Sequence, residues 1–218
     1  IRDNMKRILI SSAIIASLFS CSNDGGKSNL DTNSVQNENA TNGVDTSSFS
    51  VQDSRIFWSG TKAIGGGHSG DLVFKSGNLK FERGNVVKGE FEVDMNSITC
   101  KDIKDKESNE DLLNHLKSED FFFVENFPTI SATLYGKSKD EGKTYQALVE
   151  LNIKGISRKE NAILTKVEKN NQVFLQSILR IDRTNYDINY NSGNIFKNLG
   201  DKVINDTIAL KVLLITDK

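Results

Sequence analysis

Hydrophobic and polar residues alternate along most of the chain after residue 55. Within residues 90–95, Phe91, Val93 and Met95 occupy every second position, and three acidic residues occupy the others. A period of two predicts a β-strand with one buried face, and a shift of one residue in its pairing would bury the acids. The same alternation recurs in residues 145–153, in 173–181 with Ser177 as the exception, and in 208–214.

Shorter apolar segments predict further strands near residues 55–61, 71–81, 130–135 and 162–168. Gly, Asn and Asp cluster between segments and predict turns at 76–78, 83–85, 140–142 and 169–171. About eight antiparallel strands favour an all-β fold, either a closed barrel or a sandwich, and a barrel of that size either fills itself with side chains or holds one small ligand. The pattern alone leaves these alternatives open.

One short helix interrupts the strands. Leu112, His115 and Leu116 share one face of it, and Ser108 followed by Asp111 suits its N-terminus. The segment from His115 to Thr129 then holds four of the twelve Phe residues and the only Pro. Its Phe cluster is too short to cross a membrane, so it is predicted to pack as an aromatic plug against, or into, a concave surface.

Residues 1–21 have the pattern of a secretory signal. A start at Met5 is followed by Lys6-Arg7 and an apolar stretch over residues 8–19. The stretch ends in a Leu-Phe-Ser-Cys sequence that resembles a bacterial lipobox, which predicts lipidation of Cys21 and an anchor in the envelope membrane, facing the periplasm. The alternative is an ordinary signal with an incidental Cys. Ser22 is not the Asp that commonly retains lipoproteins in the inner membrane, which favours the outer membrane.

Residues 22–54 are rich in Asn, Ser, Thr, Asp and Gly. Such a segment buries too little apolar surface to offset its conformational entropy, so it is predicted to be a disordered polar tether. Its end-to-end distance would be roughly 30 Å. Residues 55–218 are then predicted to form the folded domain.

The composition offers few residues that could catalyse a reaction or bind a metal. The net charge of -1 argues against nucleic acid as a partner, and two Cys cannot build a disulfide framework. His68 and His115 could join Asp120 or Glu119 at a metal ion, but no His-x-His or Cys-x-x-Cys spacing supports this. Since no nucleophile–base pair is readable, the chain is predicted to be neither an enzyme nor a metalloprotein. His68, among glycines, is the histidine more open to a function.

Six motifs in order along residues 55–216 resemble the signature of the YceI-like family of periplasmic, lipocalin-like proteins. They are HSG at His68, GxFxVDMxxIT at Gly89, HLKSxDFF with a later FPT at His115, VxLxIKGIS at Val149, IDRTxYxIxY at Ile181 and LGDKVIxD at Leu199. The resemblance implies an elongated barrel of eight antiparallel strands whose hydrophobic bore holds a polyisoprenoid chain.

Inward apolar residues would be enough to bind such a chain, because an isoprenoid tail offers nothing to hydrogen-bond and its affinity follows buried area. Arg183 and Tyr186 are candidates for a polar head, although Arg183 could equally be structural. The apolar candidates, each of which could instead be plain core, are Phe57, Leu72, Phe74, Phe91, Val93, Met95, Phe121, Phe122, Val149, Leu151, Leu179 and Ile181.

These observations together predict a membrane-tethered protein that holds an isoprenoid lipid, or an isoprenoid quinone, as a carrier or reservoir without catalysis or a cofactor. Its partners would be the lipid and the membrane, and a homodimer is left open. The competing hypothesis is a structural or stress-related envelope protein with a solid barrel that binds a protein partner. A metal-dependent hydrolase is the third and least supported class.

Overall fold

The computed structural model describes residues 44–48, 52–136, 143–170 and 172–216. The strands in these residues are β1 (Val44–Ser48), β2 (Arg55–Thr61), β3 (Gly67–Glu82), β4 (Asn85–Asp94), β5 (Thr129–Gly136), β6 (Thr144–Ile153), β7 (Ile156–Lys169), β8 (Gln172–Asp182) and β9 (Thr207–Ile215). One α-helix, α1 (Lys106–Lys117), follows β4, and short 3-10 turns occupy Met95–Ser97, Arg183–Tyr186 and Gly200–Lys202. Among the described helices, none has the length and apolar character needed to cross a bilayer.

Strands β2 to β9 close into a ring of antiparallel neighbours. Each strand from β2 to β8 pairs with the next in sequence, and β9 returns to pair with β2. The eight-stranded antiparallel barrel with one helix is therefore confirmed. The additional strand β1 pairs with residues 78–82 of the long β3, beyond the part of β3 that pairs with β2.

The predicted inward faces hold in β4, β6 and β8, and Leu214 on the predicted face of β9 is buried as well. Phe91 and Val93 of β4 are buried, and so are the alternate residues of β6 and β8. Those of β6 are Ala147, Val149, Leu151 and Ile153, and those of β8 are Leu175, Ser177, Leu179 and Ile181. The barrel interior thus follows directly from the period of two.

The assignment of Phe57 to the barrel interior is wrong. Its side chain is 40% exposed on the outer face, whereas Ile56 and Trp58 on either side of it are buried. Because three large apolar residues follow one another here, the local pattern does not say which face points inward. The pairing of β2 with β3 and β9 decides it.

Three local predictions also need correction. No turn forms at residues 76–78, because β3 continues through them with an irregularity between Phe74 and Ser76. The helix begins earlier than expected and is capped by Asp105, whose Oδ1 accepts hydrogen bonds from the backbone N–H of Ser108 at 2.9 Å and from its hydroxyl at 2.7 Å. The predicted tether is wrong at its C-terminal part, since residues 44–48 are β1.

Other predictions fall on residues that the structure does not describe. The signal segment with Cys21, residues 22–43 of the tether and the turn at 140–142 lie outside the described residues. The turn at 83–85 is confirmed: Arg83 and Gly84 adopt positive φ values of 50° and 78° between β3 and β4.

The two ends of the barrel differ. At one end the interior is filled by Leu79 and Val86, each 0% exposed, and by Phe81. The other end is called the helix end here, because the chain leaves β4 there and enters α1. The backbone of residues 99–101 runs beside the start of β3, with Thr99 N–H donating to the Asp71 carbonyl at 3.0 Å. This asymmetry places the free interior volume near the helix end.

Candidate functional site: a hydrophobic cavity

The barrel encloses a cavity of about 220 Å³ with an almost wholly apolar wall. Most of the residues predicted to bind ligand line it, namely Leu72, Phe74, Phe91, Val93, Phe121, Phe122, Val149, Leu151, Leu179, Ile181 and Arg183. The structure therefore brings the predicted inward faces of four strands, the plug segment and the buried Arg183 to a common space. Whether these residues contact a ligand stays a prediction.

Three predicted residues do not line the cavity. Phe57 faces outward, as described above, and Met95 is buried in the 3-10 turn that follows β4. Tyr186 is 0% exposed in the turn after β8, and its hydroxyl donates to Glu160 Oε1 at 3.0 Å. Burial, reinforced by this hydrogen bond, raises the pKa of Tyr186. Its phenol is therefore neutral and committed to the fold.

Several residues of the cavity wall are not among the predicted ligand-binding residues. Ile208, Leu210, Val212 and Leu214 of β9 line the cavity, as do Ile130, Ala132 and Leu134 of β5 and Leu112 and Leu116 of α1. The alternation of residues 208–214 and the apolar helix face were available signals. These signals indicate site residues as well as secondary structure, because all inward faces of a closed barrel meet the same interior.

The aromatic plug covers part of the helix end of the cavity. Phe121 and Phe122 line the wall, while Phe123 and Phe127 pack against each other with ring centroids 6.1 Å apart. The ring of His115 stacks edge-on against Phe121 at 5.0 Å and Tyr190 at 4.6 Å. The predicted concave partner of the plug is thus the mouth of the barrel.

Arg183 is engaged by the protein itself. Its guanidinium is 1% exposed and donates to the carbonyls of Ile188 at 2.7 Å, Ile204 at 3.1 Å and Asn205 at 3.3 Å. A fourth donation reaches Asp206 Oδ1 at 3.1 Å. Burial lowers the pKa of Arg183 and the nearby Asp206 carboxylate opposes that change. These contacts favour the structural reading of Arg183 over the polar-head reading.

A second polar group faces the cavity from β8. The Ser177 hydroxyl is buried, and no hydrogen-bond partner for it exists among the described residues. A buried hydroxyl without a partner costs about 1–3 kcal/mol. A polar atom of a bound molecule, or a water, would remove that cost.

Polar residues of the wall collect at the helix end. Thr61, Lys62, His68 and Asn205 line the cavity there, and Thr61 and Lys62 are exposed, so the cavity reaches the surface at this end. The amide of Asn205 donates to Thr61 Oγ1 at 2.8 Å and to the Lys62 carbonyl at 3.2 Å. The interior of the cavity is therefore apolar, and its mouth is polar.

His68 and His115 do not share a site. His115 Nε2 lies 3.1 Å from Asp120 Oδ2, but His68 Nδ1 lies 2.8 Å from Asp102 Oδ2. The backbone N–H of Ser69 donates to Asp102 and holds the pKa of this carboxyl down, at about 2, against partial burial. The nearby Cys100 thiol donates to the same carboxylate at 3.5 Å and not to the imidazole. This is not the geometry of a histidine-activated nucleophile.

Solved structures with the same fold exist at low sequence identity. The Burkholderia cenocepacia protein BcnA is 18% identical, with a TM-score of 0.59 over 78% of this chain and 99% of that chain. A polyisoprenoid binding domain from Saccharophagus degradans, implicated in plant cell wall breakdown, is 12% identical, with a TM-score of 0.55 over 80% of this chain and 98% of that chain. At these identities the likeness establishes the fold.

The sequence itself also matches a family model. No curated protein matches the chain. The model of the YceI-like domain, however, matches residues 43–215, which include β1 and every strand of the barrel. This chain therefore belongs to the YceI-like domain family, as the six motifs predicted.

Proposed function

We propose that this protein binds a long apolar isoprenoid lipid inside its barrel and acts as a carrier or reservoir without catalysis. The observation that carries the proposal is the cavity of about 220 Å³, whose wall is apolar except near its mouth. Such a wall suits a hydrocarbon chain, because binding then needs only the removal of apolar surface from water. A solid barrel, the competing hypothesis, would leave no such space.

The relatives support the isoprenoid class. A domain of the same fold is described as polyisoprenoid binding. An isoprenoid quinone is the finer proposal, because its ring carries carbonyl oxygens and the wall offers as a donor the Ser177 hydroxyl, which has no hydrogen-bond partner among the described residues. The homodimer stays a prediction.

The test is to purify the protein without added lipid and examine it by native mass spectrometry and organic extraction. We expect a co-purifying lipid, and we expect the delipidated protein to melt at a lower temperature. Adding back an isoprenoid quinone or a polyprenol at about 100 times its Kd should restore about 2.7 kcal/mol, because a ligand that binds only the folded state stabilises it by mass action. A short prenol serves as control, since it buries less surface. If no lipid is extracted and neither compound shifts the melting temperature, the lipid-binding proposal is wrong.

We further propose that Cys21 carries a lipid anchor and that the domain faces the periplasm from the outer membrane. The support is the charged and then apolar leader that ends in Leu-Phe-Ser-Cys. Cys21→Ser should release the protein from membranes or leave the leader uncleaved. Ser20→Ala, which keeps a small residue before the Cys, should behave as wild type. Membrane fractionation and the intact mass decide the matter: a Cys21→Ser protein with wild-type mass shift and fractionation would contradict the anchor.

A further inference from the structure

Three groups that ligate metals meet at the mouth of the cavity. A nitrogen of His68, the Cys100 sulfur and an Asp102 oxygen all lie within 4.8 Å of one another. In the part of the chain that the structure describes, this is the one group of three such side chains with its ligand atoms in range. We infer that His68, Cys100 and Asp102 form a binding site for zinc or a chemically similar divalent transition-metal ion.

The donor set selects this class of ion. Thiolate and imidazole favour zinc and its first-row neighbours over magnesium or calcium, which prefer oxygen ligands only. With Sγ ionised and His68 neutral, the site carries the charge of one thiolate and one carboxylate, which balances a divalent cation. Lys101 lies between Cys100 and Asp102 in sequence, but it does not neutralise their charges, because its ammonium pairs with Asp71 Oδ2 at 2.5 Å.

The distances are close to those around a tetrahedral ion, and Cys100 and His68 each approach a different oxygen of Asp102. Zinc bonds of about 2.3 Å to sulfur and about 2.0–2.2 Å to nitrogen and oxygen put neighbouring ligands roughly 3.3–3.7 Å apart. The Cys100 sulfur lies 3.5 Å from Asp102 Oδ1. His68 Nδ1 and Asp102 Oδ2 are closer, at 2.8 Å, so the ion would replace their hydrogen bond and separate them by about 0.5 Å. The His68 side chain is 41% exposed and has room to make that movement.

The backbone around the ligands is already fixed. Lys101 N–H donates to the Ser69 carbonyl at 2.8 Å, which ties the Cys100–Asp102 segment to the start of β3 next to His68. The side-chain amide of Asn109 in α1 donates to the carbonyls of Cys100 at 3.0 Å and Ile103 at 2.9 Å. A Cβ at Gly70 would collide with the Thr99 carbonyl, so glycine permits this close approach. Binding would therefore need side-chain adjustment and little backbone ordering.

Three protein ligands leave a fourth coordination position open, as in zinc sites that bind an exchangeable molecule. Since His68 also lines the cavity, the site that offers this position lies beside the mouth. A water, or an oxygen of a molecule in the cavity, could occupy it. When the ion binds, the Cys100 thiol loses its proton to solvent and its sulfur forms the metal bond.

The test uses the full chain, stripped of metal with a chelator and with its thiols kept reduced. We expect one zinc ion per chain by calorimetry, and a thiolate-to-cobalt charge-transfer band when cobalt is added. Zinc at about 100 times its Kd should raise the melting temperature by about 5–10 °C. Magnesium should neither bind in the calorimeter nor raise the melting temperature.

Matched variants assign the ligands. Cys100→Ser and His68→Ala should each weaken zinc binding by more than about 100-fold, because even outer hydrogen-bond partners of metal ligands cost about 10–100-fold. His115→Gln is the control: it removes the other His–Asp pair and should bind zinc as the wild type does. His68 is exposed enough that its truncation should leave the fold intact, which circular dichroism checks. Absence of zinc and cobalt binding in the wild type, or wild-type binding by either ligand variant, overturns the inference.

Discussion

Ala132→Trp is expected to expel the bound lipid while leaving the barrel folded. Ala132 lies in β5 between Phe91 of β4 and Leu151 of β6, and it faces the cavity. An indole at this position would fill much of a space of about 220 Å³, so lipid and side chain would compete for the same volume. Because the new side chain enters a void and not a packed core, its cost to stability should stay within about 1–3 kcal/mol.

The measurement is the amount of lipid extracted per protein, with the melting temperature of the delipidated forms. Ala132→Trp should retain at least about tenfold less lipid, which requires a loss of at least about 1.4 kcal/mol in binding free energy. Ser131→Trp is the matched control, since the neighbouring Ser131 is exposed on the outer face of the same strand. It should retain lipid as wild type. Equal lipid in both variants would show that the cavity is not where the lipid binds.

Arg183→Met should destabilise the fold by about 3–5 kcal/mol, the usual effect of removing one partner of a buried ion pair. The Asp206 carboxylate is only 10% exposed and would lose its cation. The carbonyls of Ile188 and Ile204 would lose their donor as well. Arg183→Lys should recover only part of the loss, because an ammonium cannot donate in all the directions that the guanidinium fork reaches.

Urea denaturation of the delipidated proteins measures this effect without a contribution from ligand. Arg180→Met serves as control, because Arg180 is exposed on β8 and its replacement should change the free energy of unfolding by no more than about 0.5 kcal/mol. A different result would assign Arg183 to the ligand. If Arg183→Met unfolded as wild type and instead lost lipid, the guanidinium would be a ligand for a polar head and not a structural group.

Whether a predicted site residue lines the cavity depends on how clear the alternation of apolar and polar residues is around it. Phe91, Val93, Val149, Leu151, Leu179 and Ile181 each sit in a strand whose apolar residues mainly alternate with polar ones, and all of them line the cavity. Phe57 sits in an unbroken apolar run and was misassigned, as its 40% exposure shows. Met95 lies one residue past the end of β4, where the chain turns and the period of two no longer applies.

The sequence by itself determined the eight barrel strands, most of their buried faces, the helix and the family, because the direction of a side chain in a strand depends on its neighbours in the chain. The tertiary structure decided what those faces enclose. One end of the barrel is filled by Leu79 and Val86, and the cavity lies toward the opposite, helix end. This difference depends on how eight inward faces meet across the barrel. Likewise, His68 meets Asp102 across 34 positions, because strand-like pairing of Lys101 with Ser69 brings the two segments together. Distances of this kind are set by the pairing of remote segments, which no local pattern records.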